Sequence, residues 1–282
     1  MISEDMHDCV ANLAQVENAD SKQGIVRHLS DITHGDGVHP RARNCFTNLK
    51  DSEGEQCFAT PHKCLVKAAP NINVYTDGSW LNPLKQYLGL GGAGVWWPNR
   101  CIHDSPSNPI AYRNRISSAE CDLAHYRQQE GGLQLFTKIG GFGGNSTRTE
   151  VAAGIIAICA NGPVHIGSDS RAFVDKANSL LELLVVGKDP GDKRPRALAN
   201  DGDLWAHFCC AVKAKSPGSI RISWVKGHAD QKHIDAGLTT ATDLVGNHKA
   251  DATADEATAL YGTDMLDVAR WDHDRAKAIK HS

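Results

Sequence analysis

Hydrophobic and polar positions divide this chain unevenly. Up to about residue 70 apolar residues come singly, with helical spacing only over residues 9–16 and turn signals at His34-Gly35-Asp36-Gly37 and His39-Pro40-Arg41. From Ile72 the pattern tightens. Ile72, Val74 and Thr76 alternate with Asn73, Tyr75 and Asp77, which predicts a strand with Asp77 at its C-terminal end. Gly91-Gly92-Ala93-Gly94-Val95-Trp96-Trp97 predicts a second strand entered through glycines, and residues 133–139 a third. Residues 104–131 between them read as an irregular insertion. A glycine turn, Gly140-Gly141-Phe142-Gly143-Gly144, leads into a helix at about 148–160 that stops at Asn161-Gly162-Pro163.

Val164-His165-Ile166-Gly167-Ser168 makes a fourth strand, closed by Asp169. The helix after it puts Phe173, Ala177, Leu180, Leu181 and Leu184 on one face, and the next turns Leu204, Trp205, Phe208 and Val212 inward. Ile220, Ile222 and Trp224 alternate as a fifth strand, and a last helix covers about 247–261. Strands followed by helices predict an α/β fold with a five-stranded mixed sheet flanked by helices. The expected organisation is an N-terminal extension over 1–69, a folded body over 70–262 and a helical tail over 263–282.

Charge narrows the choice of partners. Lys plus Arg is 30 against 33 for Asp plus Glu, a net −3, so binding to nucleic acid requires a local basic patch. The loop around Lys188, Lys193, Arg194 and Arg196 is the candidate. The longest apolar stretch, near 151–160, falls far short of the ~18 residues of a membrane span, and Met1-Ile2-Ser3-Glu4-Asp5 is acidic where a signal peptide is basic. Nine cysteines, with Cys209 and Cys210 adjacent, suit free thiols better than a disulfide framework. The expectation is an intracellular protein, cytoplasmic or nuclear, without a membrane partner. His34, His39, Cys45, Cys57, His62 and Cys64 lack the close pairs of a structural zinc site.

Four acids carry the candidate chemistry. Asp77 and Asp169 each follow a predicted strand, where α/β proteins place their sites. Glu150 opens the helix that the glycine turn delivers, and Asp251 lies early in the last helix, where Ala250 and Ala254 permit close packing on a sheet. Each acid also has a local reading. Thr147-Arg148-Thr149-Glu150 fits a capping box, Asp169 an N-cap, Asp77-Gly78 a turn and Asp251 a solvated helix position. Together they suggest more, because clustered carboxylates raise one another's pKa and require a cation. Oxygen ligands suit Mg2+ or Mn2+. Two such ions ~3.5–4 Å apart can activate water and stabilise the leaving oxygen of a phosphodiester.

The surrounding residues carry a resemblance. Tyr75-Thr76-Asp77-Gly78-Ser79, Gly91-Gly92-Ala93-Gly94, Thr147-Arg148-Thr149-Glu150, Ser168-Asp169-Ser170, Asp203-Leu204-Trp205, Trp224-Val225-Lys226-Gly227-His228-Ala229 and Gly246-Asn247-His248-Lys249-Ala250-Asp251 follow one another as the motifs of the type 1 ribonuclease H family do. The resemblance spans about 70–262 and implies a ribonuclease H-like fold. It implies two Mg2+ ions, replaceable by Mn2+, on Asp77, Glu150, Asp169 and Asp251. Asp169 and Asp251 would hold the water-activating ion, while Asp77 and Glu150 would be shared with the leaving-group side. His228 would sit on a mobile loop that assists product release.

The family cuts the RNA strand of RNA–DNA hybrids, leaving 5′-phosphate and 3′-hydroxyl ends. The implied substrate contacts are Gly78 and Ser79 beside the metals, Ser146 and Thr147 at 2′-hydroxyls or phosphate, and Lys193, Arg194 and Arg196 on the DNA strand. The implied partners are the hybrid and a reverse transcriptase or other polyprotein segment. The alternative expectation is a weak or inactive hybrid-binding domain. The chain departs from compact members of the family at 81–90, at 104–131 and between His228 and Asp251, where Asp230, His233, Asp235 and Asp243 are placed to crowd the site or form a lid.

Overall fold

The computed structural model describes residues 59–81, 90–102, 115–139, 145–188 and 200–281. Strands β1 (Val74–Leu81), β2 (Leu90–Pro98), β3 (His125–Gln129), β4 (Gly132–Ile139), β5 (Val164–Ser168) and β6 (Ile220–Trp224) form one sheet in the order β3-β4-β2-β1-β5-β6. Neighbours from β3 to β1 run antiparallel, while β5 joins β1 and β6 joins β5 in parallel. The sheet is therefore mixed, as expected, but it has six strands rather than five.

The additional strand is β3, inside the stretch read as an irregular insertion. His125-Tyr126-Arg127-Gln128-Gln129 has no aliphatic side, so its alternation is invisible to a hydrophobicity pattern. Polar and aromatic contacts hold it to β4. The Arg127 guanidinium lies 5.3 Å from the centre of the Phe136 ring and donates to Gln134 Oε1 at 3.2 Å, while Gln128 Nε2 donates to Gly132 O at 2.7 Å. Just before it, helix α1 (Ser118–Leu123) is fixed by a capping box in which Ser117 and Glu120 satisfy each other's backbone. The fully buried Glu120 also takes a two-pronged pair from Arg100, at 2.6 and 2.8 Å.

Helix α2 (Ser146–Ile158) is apolar nearly all round and runs buried between the sheet and helices α3 (Arg171–Val185) and α4 (Gly202–Lys215). Phe173, Trp205 and Phe208 close that layer, with ring centres 5.4–6.2 Å apart. Residues 59–68 cross α4, with Cys64 N donating to Lys215 O at 2.7 Å and Ala68 N to Gly218 O at 3.0 Å. Ala59 is buried within the same core. Of the residues weighed for zinc, His34, His39, Cys45 and Cys57 lie outside the described residues. Cys64, Cys101, Cys121, Cys159 and Cys209 are free thiols, while Cys210 is disulfide-bonded.

The opposite face carries helix α6 (Ala241–Ala259). A Cβ on Gly94 would lie 2.3 Å from Ala254 N, and one on Gly92 2.3 Å from Ala254 O, so bare glycine lets the helix rest on β2. Ala250, Ala254 and Ala257 are fully buried in that contact. The helix begins six residues before the expected 247, because Thr240 caps it by accepting from Asp243 N at 3.1 Å. A short helix α5 (Gln231–Asp235) precedes it, and helix α7 (Thr263–His281) follows. No helix among the described residues is long and apolar enough to cross a membrane.

Candidate active site

Parallel pairing of β1 and β5 ends with Thr76 opposite Ser168. Asp77 and Asp169 come next on their strands. β5 stops at Ser168, as expected, but β1 continues to Leu81 against β2, so Asp77 stands in mid-strand rather than at a strand end. It still marks the place where the sheet loses its parallel neighbour. The cap of α3 is Ser170, whose Oγ accepts from Phe173 N at 3.4 Å, so Asp169 is released from the N-cap role.

Glu150 is released in the same way. Asn145 caps α2, with its Oδ1 accepting from Arg148 N at 2.9 Å, which puts Glu150 on the fifth helical residue, beyond any capping box. Arg148 points away and binds Asp203 with two hydrogen bonds, at 2.8 and 2.5 Å. Gly78 brings α2 against β1, since a Cβ there would lie 2.3 Å from Thr149 Oγ1 and 2.6 Å from Glu150 N. Glu150 is 7% exposed, and its Oε2 is buried without a hydrogen-bond partner.

Among the described residues, Asp77, Glu150 and Asp169 form one candidate metal-holding group, with an oxygen from each lying within 4.8 Å of the others. Burial first, then the charges of Asp169 and Asp251, push the Asp77 carboxyl up to about 7, although the Gly78 N–H bond at 2.8 Å pulls the other way. Burial and the charges of Asp77 and Asp169 hold Glu150 well above the usual carboxylate range. Asp251, half-buried on α6, adds to the upward push on Asp77 but stands outside the three-oxygen group.

Asp169 is gripped from three sides. Trp224 Nε1 donates to its carbonyl at 3.0 Å, and Asn247 Nδ2 to its Oδ2 at 3.3 Å. A Cβ on Gly227 would fall 2.3 Å from that same Oδ2. Asn247 is a site residue the sequence analysis did not single out. It lay inside a quoted motif, but nothing local in the chain signals a bond across 78 positions.

His228 follows Gly227 with φ +46° and is exposed. The acids and histidine beyond it have local partners. Asp230 and His233 cap α5, Gln231 donates to Asp235, and Asp243 accepts from the Tyr75 hydroxyl at 2.8 Å. Ser146 and Thr147 lie in the first turn of α2, exposed and half-buried respectively. Ser79 donates its hydroxyl to Asp255 at 2.8 Å. Lys193, Arg194 and Arg196 lie outside the described residues.

No protein-family model matches the sequence, and no curated protein matches it. Among solved structures the chain is similar to the PFV RNase H domain, at 21% identity and a TM-score of 0.40 over 66% of this chain and 93% of that one. It is similar also to LC9-RNase H1, a type 1 RNase H with the type 2 active-site motif, at 17% identity and 0.40 over 70% and 78%. A foamy viral protease-reverse transcriptase in complex with an RNA/DNA hybrid is a third, at 17% and 0.40 over 75% and 22%. In the order of its motifs, in its mixed sheet and in the acids its strands deliver, the chain resembles the type 1 ribonuclease H family.

Proposed function

We propose that this chain is a Mg2+-dependent endonuclease that hydrolyses the RNA strand of RNA–DNA hybrids, leaving 5′-phosphate and 3′-hydroxyl ends. The observation that carries the reading is the convergence of Asp77, Glu150 and Asp169 within 4.8 Å, with neighbouring residues already filling the caps these acids could have served. The orphaned Glu150 Oε2 and the raised carboxyl pKa values fit a hard divalent cation, because all the donors are oxygens and the cluster otherwise repels itself.

Asp77, Glu150, Asp169 and Asp251 would hold two Mg2+ ions, with Mn2+ able to substitute. When bound, such ions supply Lewis acidity and charge neutralisation at the phosphoryl group. The chain's own residues do the rest. Gly78 sets the depth of Glu150, while Asn247 and Gly227 fix the direction of the Asp169 carboxylate. His228 stands at the exposed rim, where its imidazole can hydrogen-bond a departing product. In this reading the hydroxyls of Ser146 and Thr147, with Gly78 and Ser79, meet the RNA strand, where 2′-hydroxyls distinguish RNA from DNA. Lys193, Arg194 and Arg196 meet DNA phosphates. A net charge of −3 suits a domain whose hybrid affinity is shared with a reverse transcriptase or other polyprotein neighbour, inside the cell, in cytoplasm or nucleus.

The test is cleavage of a labelled RNA–DNA hybrid with Mg2+ and with chelator, beside RNA and DNA duplexes, for the full chain and Asp169→Asn. Metal-dependent, hybrid-selective cutting that the variant loses while keeping its melting temperature is the expected result. No cutting by folded wild type in Mg2+ or Mn2+ would overturn the activity and favour a binding domain.

A further inference from the structure

Two residues beyond Asp169 lies a cation that the proposed chemistry does not use. Arg171, the first residue of α3, is exposed, and its guanidinium carbon stands 3.9 Å from the centre of the Trp224 ring. That ring is itself fixed, since Trp224 ends β6 opposite Ser168 and its indole N–H is bound to the Asp169 carbonyl at 3.0 Å. No carboxylate among the described residues pairs with Arg171. A guanidinium stacked on an indole keeps its N–H edge free, and that planar fork matches a phosphate. Pre-fixing it against a tethered ring also lowers the ordering cost of using it.

The geometry points to Arg171 as a phosphate-gripping residue, held on Trp224 to take a backbone phosphate of the strand that lies across Asp77, Glu150 and Asp169. This rests on the hybrid-cleaving reading above. It adds that a chain with net negative charge presets one cation on a ring bound to the Asp169 backbone, where a polyanion would approach the acids.

The test is hybrid binding by the full chain in chelator, as a function of salt, for wild type, Arg171→Ala and Arg171→Lys. Each phosphate contact contributes ~0.9 to the slope of log affinity against log salt. Arg171→Ala should weaken binding several-fold, flatten the slope by about one such contact, and leave the melting temperature within a degree or two. Arg171→Lys should restore most of the slope with weaker binding, because a point charge replaces a fork. An unchanged slope in Arg171→Ala, with wild type still binding hybrid, overturns the role of Arg171 alone. A wild type with no salt-dependent binding to hybrid overturns the hybrid reading as well.

Discussion

Asp77 and Asp169 sit one residue past the same parallel pair, Thr76 opposite Ser168, and so emerge side by side from neighbouring strands. That register follows from burial on both faces, because a slip of one residue would turn Val74 and Ile166 out of the core. The chain thus uses a fully buried pairing to press two carboxylates together. Glu150 and Asp251 then arrive from opposite faces of the sheet, on helices seated against the glycines of β1 and β2.

Crowding of this kind makes the metal-free protein sensitive to pH. The Asp77 carboxyl rises from 3.8 to about 7 on folding, so between those values the folded chain holds a proton that the unfolded chain releases. Stability therefore falls as pH rises through that window. His165 and His207, pulled down by burial, act in the opposite sense at the acidic end, so the informative quantity is a difference between proteins. Thermal melts in chelator from pH 5 to 8 should show wild type losing stability relative to Asp77→Asn, with Mg2+ cancelling much of the loss. A gap that stays constant with pH would remove Asp77 from the coupled cluster.

Glu150 predicts a trade between stability and activity. Its carboxylate is buried, one oxygen has no partner, and its charge faces those of Asp77 and Asp169. Glu150→Gln keeps the volume and removes the repulsion, and should stabilise the metal-free protein by ~1–3 kcal/mol while abolishing cleavage. Calorimetry beside a cleavage assay checks both halves. A variant that melts earlier than wild type would show that Glu150 is satisfied without a cation.

Much of this site was legible in the chain because strand and turn chemistry are local. The alternation over 72–77 and 164–168 marks the strands that deliver Asp77 and Asp169 without a structure, although β1 runs on past Asp77 to Leu81. Three features were not legible, for physical reasons. β3 has no aliphatic face and is stabilised by Arg127 and His125 against Phe136, contacts that no periodicity encodes. The cap of α2 is Asn145, two residues before the threonine that fits the capping-box pattern, because Arg148 is drawn to Asp203 on α4. The early start of α6 is hidden because its first turn, Ala241-Thr242-Asp243, carries no apolar stripe and is held by the Thr240 cap.

Asn247 tests whether Asp169 must be aimed as well as present. Its Nδ2 holds Asp169 Oδ2 at 3.3 Å, and its own Oδ1 is buried without a partner. Partners of this kind around a metal ligand are typically worth 10–100-fold in metal affinity or activity. Asn247→Ala should raise the Mg2+ concentration needed for half-maximal cleavage by about that range. An unchanged Mg2+ requirement together with a lower melting temperature would make Asn247 a packing residue only.

Two glycines should separate the site from the scaffold. At Gly94 an added Cβ would meet Ala254 N at 2.3 Å and Ala250 O at 2.6 Å, both backbone atoms of a buried helix. At Gly227 it would meet Asp169 Oδ2 at 2.3 Å, Cγ at 2.9 Å and Cβ at 3.0 Å, all atoms of one side chain. Neither glycine is among those with positive φ, so alanine is resisted by contact and not by its backbone conformation. Gly94→Ala must lift α6 off β2 and should cost on the order of 1–3 kcal/mol or more in stability. Gly227→Ala must displace the Asp169 side chain but no helix, and should cost less stability than Gly94→Ala while suppressing cleavage at least tenfold, as displacement of a reacting group by about 1 Å commonly does. If Gly227→Ala melts early and cleaves in proportion to its folded fraction, then the contact between Gly227 and Asp169 holds the loop to the fold and does not aim the carboxylate.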